Sequence, residues 1–64
     1  MFIKVTTHPS GTNMTINTRH IVMVKPTINP ANKGGTMLIL GDGYAGQEIA
    51  DKYEAIAAAL VQNG

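Results

Sequence analysis

The sequence predicts an α+β fold: a small antiparallel sheet of four to five strands, in the order β-β-β-β-β-α, with one C-terminal helix packed on it. Three observations lead there. Short stretches of alternating or unbroken apolar character are separated by Gly, Pro and Asn clusters, the pattern of brief strands joined by turns. One stretch near the end has helical spacing instead. The 64 residues, 44 % of them apolar, make a single folded domain, 1–64, and so short a chain buries only about 60 % of its unfolded surface.

"FIKVTT" sets Ile3 and Val5 against Lys4 and Thr6, a period-two strand, and "HPSG" follows with the turn formers Pro9 and Gly11. "NMTIN" alternates again, Met14 and Ile16 on one face and Thr15 and Asn17 on the other. After a polar turn at Asn17, Thr18 and Arg19 comes "HIVMVK", whose Ile21 to Val24 leave no polar face, as in a strand covered on both sides. "PTINPANKGG" reads as a loop, because Pro26 and Pro30 lack amide hydrogens and Gly34 and Gly35 free the backbone. "TMLIL" is a second two-sided apolar strand. Asp42-Gly43 is a favoured hairpin turn, and "YAGQE" a short strand returning from it. Gly46 within it marks a bulge or a close backbone approach. The final stretch is a helix with Asp51 as cap and Glu54 reaching back to it. Ile49, Tyr53, Ile56 and Leu60, flanked by Ala57 and Val61, form its apolar stripe.

"GDGYAG" also matches the G-x-G-x-x-G fingerprint of dinucleotide sites. That motif needs a βαβ unit and an acidic residue about 20 positions later, and neither is present here. Glu48 and Asp51, placed at the helix N-terminus, would also repel a phosphate. The hairpin reading is therefore preferred, and no cofactor is expected.

Other chemistry is sparse. His8 and His20 lie twelve apart, without the spacing of a zinc pair, and the one serine, Ser10, sits in the first turn, so neither a metal site nor a catalytic residue is assigned. With no cysteine there is no disulfide to support so small a fold, which leaves oligomerisation. No apolar run reaches the length of a membrane span, and a cytoplasmic location is the expectation. The methionines Met1, Met14, Met23 and Met37 fall mostly on strands, filling a core or forming an adaptable interface.

Net charge is only +1, yet Lys4, Arg19, Lys25 and Lys33 precede residue 41, whereas Asp42, Glu48, Asp51 and Glu54 follow it. A basic sheet surface made by those four bases is the basis of an alternative function, single-stranded nucleic-acid binding. With only Phe2, Tyr44 and Tyr53 available, stacking platforms are few.

The stronger clue is surplus apolar surface. One helix covers one face of a sheet, while Ile21 to Val24 and Met37 to Leu40 are apolar on both faces. Period-two alternation groups Val22 with Val24 and Leu38 with Leu40, and these four are the expected self-association interface of a homo-oligomer, most simply a two-fold dimer. Closure of the five strands into a tight barrel is the competing way to hide them.

The pattern resembles the small FlbD-type bacterial flagellar proteins. The matching residues are Lys4 and Thr6, Gly11, Ile16 and Asn17, Ile21 and Val24, Thr36 to Leu40, Asp42 and Gly43, and Asp51, spanning nearly the full chain. The proline-containing loop from Pro26 to Gly35 and the "YAGQE" segment depart from the family pattern. The resemblance implies a non-enzymatic bacterial accessory protein that acts through contacts with other proteins.

Overall fold

The structure, a computed structural model, describes residues 1–41 and 46–63. Five strands, β1 (Phe2–Thr6), β2 (Asn13–Asn17), β3 (Ile21–Pro26), β4 (Thr36–Leu40) and β5 (Gln47–Ile49), precede one helix, α1 (Tyr53–Asn63). The class is α+β and every pairing is antiparallel. The strands do not make one sheet, however. They divide into a two-stranded sheet, β1-β2, and a three-stranded sheet, β3-β4-β5.

The division has a local cause. Between β2 and β3 the chain makes a 3-10 turn at Thr18–His20, capped by Asn17, whose Oδ1 accepts the Arg19 amide at 3.1 Å. That turn redirects the chain, and β2 and β3 do not pair. The sheets join at the other side, where Thr7 bridges Ile49, His8 N–H donates to the Glu48 carbonyl at 3.0 Å and Ala50 N–H to the Thr6 carbonyl at 2.8 Å. These contacts join the end of β1 to β5 and leave the two sheets distinct.

One core draws on both sheets and the helix. In β1-β2, Ile3 faces Ile16 and Val5 faces Met14, so period-two alternation sends all four inward. Val5 and Ile16 join Leu38, Ile49 and Ile56 as the buried cluster, with Ile3, Met14, Ile21, Val24, Leu40 and Leu60 packed around it. The β1-β2 turn needs Gly11 at φ +72°, a conformation costly for any residue with a β-carbon.

The end of the chain departs from the expected helix in two ways. Ile49 belongs to β5, where it is fully buried, and the helical stripe is carried by Ile56 and Leu60 with Tyr53 half-buried, while Val61 is 82 % exposed. Asp51 is not the cap. The helix starts at Tyr53, and the Asp51 carboxylate instead accepts the Thr6 amide at 2.7 Å, tying the end of β1 to the segment before α1. Tyr53 N–H, one of the unpaired amides of a helix N-terminus, donates to the Gly34 carbonyl at 3.1 Å. Among the described residues no helix is long and apolar enough to cross a membrane.

Candidate functional site

The outer face of β3-β4 is the most distinctive surface, and a single bulge creates it. Ile21 opposes Leu40 and Met23 opposes Ile39, so two steps along β3 match one step along β4. The extra residue, Val22, reverses the parity of the strand from there on. Ile21 and Val24 consequently both face the core, while Val22 and Met23 both face out, 71 % and 53 % exposed.

The four residues expected to form an interface do not share an exposed face. Of Val22, Val24, Leu38 and Leu40, only Val22 is exposed. Leu38 is fully enclosed by its own chain, and Val24 and Leu40 pack against the core cluster. The surplus apolar surface exists, but it is formed by Val22 and Met23 with half-buried Ile39 and Met37 beside them across the ladder. On β3 the bulge breaks the period that groups Val22 with Val24, whereas on β4 the alternation holds and the outward pair is Met37 and Ile39 instead of Leu38 and Leu40.

Beside this face lies an open groove of about 580 Å³, lined by Lys25, Pro26, Thr27, Ile28, Met37, Ile39, Gly46 and Glu48. Its wall includes the loop between β3 and β4, and that loop is ordered by one carboxylate. Glu48 Oε2 accepts from Thr27 Oγ1 at 3.1 Å and from Asn32 Nδ2 at 2.9 Å, and Oε1 accepts from Asn29 Nδ2 at 3.3 Å. Buried Asn32 also donates to the Ile49 carbonyl at 2.9 Å. Asn29 Oδ1 in turn accepts the Ala31 amide at 2.9 Å, capping the 3-10 turn Pro30–Asn32 with Pro30 at its first position. Gly35 completes the arrangement, since a β-carbon there would overlap the Asn32 carboxamide.

These bonds hold the Glu48 carboxyl below the usual carboxylate range. The Asn32 hydrogen bond is the largest cause, desolvation partly opposes it, and Asn29, Thr27 and the potential of His8 add to the lowering. Sequence reasoning placed Glu48 at the helix N-terminus and treated 26–35 as a plain loop. The only signal of its order was the run of short side-chain donors, Thr27, Asn29 and Asn32, which needs an acceptor that the sequence does not name. Ile28, between two of the pinned residues, is 99 % exposed.

The other candidate residues are dispersed. Lys4 is exposed in the middle of β1, Arg19 is in the 3-10 turn, Lys25 on β3 and Lys33 in the loop, four separate elements. Lys33 presents its carbonyl to Lys52 Nζ at 3.1 Å. Among the described residues no three His, Cys, Asp or Glu side chains group as metal ligands. In the "GDGYAG" stretch the Asp42-Gly43 turn lies outside the described residues, but β5 follows Gly46 and separates it from α1. The glycines therefore do not open onto a helix N-terminus, as the dinucleotide mechanism requires. Gly46 precedes β5 and does not lie within it, and a β-carbon there would make only an ordinary contact, 3.4 Å from the Leu38 carbonyl oxygen.

No family model, curated protein or solved structure matches the chain.

Proposed function

We propose that this chain is a non-enzymatic protein-interaction module that self-associates through the outer face of β3-β4. The observation that carries this reading is the apolar face of Val22, Met23, Met37 and Ile39, continuous with the groove that ends at Ile28. A soluble monomer rarely exposes an apolar patch of more than a few hundred Å². Exposed Met23, half-buried Met37 and their β-branched neighbours suit an adaptable, apolar contact. A stable interface needs roughly 800 Å² from each partner, about a fifth of the 4299 Å² that the isolated chain exposes.

The resemblance to FlbD-type proteins agrees with this reading, because it implies a bacterial accessory protein acting through protein contacts. On this account the protein works in the cytoplasm, without cofactor or metal, as a small homo-oligomeric adaptor or regulator. Sedimentation equilibrium at micromolar to millimolar concentration tests it. The wild type is expected to sediment as a dimer or larger, and Met23→Asp, with unchanged circular dichroism, as a monomer. A wild type that stays monomeric throughout that range would remove the proposal.

A further inference from the structure

We infer that Ile28 is the anchor of a two-fold dimer, inserting into the Pro26, Met37 and Ile39 groove of a second copy while that copy's Ile28 inserts in return. The inference rests on the self-association proposed above and specifies its partner and geometry. An isoleucine left 99 % exposed on a loop is ordinarily free to move, but here both neighbours are held. Thr27 Oγ1 and Asn29 Nδ2 both donate to Glu48, and Asn29 N–H donates to Thr27 Oγ1 at 3.2 Å. The side chain between them is therefore presented from a fixed backbone. Such an anchor loses little conformational freedom on docking, which is what separates strong interface residues from merely exposed ones.

The hole for this knob is on the same face. The groove beside Ile28 has an apolar wall of Pro26, Met37 and Ile39 and carries one cation, Lys25, and one anion, Glu48. A knob and a hole side by side on one surface are mutually complementary only when a two-fold axis relates the copies. A two-fold axis lying along β4, where Met37 stands between Lys25 and Glu48, sets the Lys25 side of each groove against the Glu48 side of the other, so charge favours the same partner. Glu48 can take part because its two oxygens offer about four acceptor positions, and three are filled by Thr27, Asn29 and Asn32. A second copy of this chain is thus the occupant that the surface fits.

The absence of cysteine gives a clean test. Isotope-labelled Ile28→Cys is mixed with unlabelled Met37→Cys under mild oxidation, and disulfide-linked species are weighed by mass spectrometry. The expected product is the mixed species, well in excess of either homodimer. In parallel, Ile28→Ala should retain the wild-type circular dichroism and weaken the dimer about thirty-fold or more, the effect of losing an interface anchor. If the wild type dimerises but the cross-link does not favour the mixed species, or Ile28→Ala dimerises as well as wild type, the anchor is overturned and self-association stands. A wild type that is monomeric at millimolar concentration overturns both.

Discussion

Replacing Val22 and Val24 separately by aspartate tests the bulge on which the functional face depends. Simple alternation makes the two residues equivalent, whereas the structure places Val24 against the core opposite Leu38 and leaves Val22 71 % exposed. For Val24→Asp, the lost apolar burial is worth about 1.5 kcal/mol at the low end for a half-buried valine. Placing a polar group without a partner beside Leu38 adds about 1 to 3 kcal/mol more. The sum, about 2.5 to 4.5 kcal/mol, is comparable with the lower part of the roughly 3 to 10 kcal/mol available to 64 residues. Val22→Asp should change folding stability by no more than about 0.5 kcal/mol. The assay is urea unfolding followed by circular dichroism at low micromolar concentration, where folding is least coupled to association. With a slope near 1 kcal/mol per molar for so small a chain, the Val24→Asp midpoint should fall by about 3 M, or the chain should be unfolded in buffer. Equal destabilisation by the two substitutions would refute the reversed parity and, with it, the outward placement of Met23.

Two further predictions concern the loop that walls the groove. Asn32→Ala leaves the carbonyl of fully buried Ile49 without its side-chain donor and should cost about 1 to 3 kcal/mol by the same urea assay, with a change under 0.5 kcal/mol counting against the role of Asn32. Because the Glu48 carboxyl is lowered in the folded state, its stabilising contribution is complete above the ordinary glutamate range and is lost as pH falls through the lower folded value. Thermal melts of the wild type should therefore decline more steeply on acidification below about pH 5 than those of Glu48→Gln. Parallel declines would contradict the contribution assigned to Glu48.

Much of the fold was legible because most of its strands obey simple periods. Ile3, Val5, Met14 and Ile16 alternate and all point inward, and the turns occur at Gly11 and Asn17 where the side chains demand them. Three features were hidden, each depending on contacts distant in sequence. The split into two sheets depends on how the Thr18–His20 turn redirects the chain. The helix start depends on Gly34 and Thr6, which claim the Tyr53 amide and the Asp51 carboxylate. The ordered loop depends on Glu48, 16 residues beyond Asn32. The candidate face was half legible: apolar surplus on β3 and β4 follows from composition, but the outward set turns on one inserted residue in β3 and, in β4, on which of two apolar faces the helix and the other sheet cover.

The methionine methyl groups give the most direct measurement of the central claim that the outer face of β3-β4 meets a second copy. Met23 is 53 % exposed on that face and Met37 lines the groove, whereas Met14 packs against the core on the other sheet and serves as an internal control. Methyl-labelled protein is followed by NMR on dilution from millimolar to micromolar concentration. The account predicts progressive shifts for Met23 and Met37 with Met14 unmoved. Shifts that are independent of concentration, or confined to Met14, would contradict it.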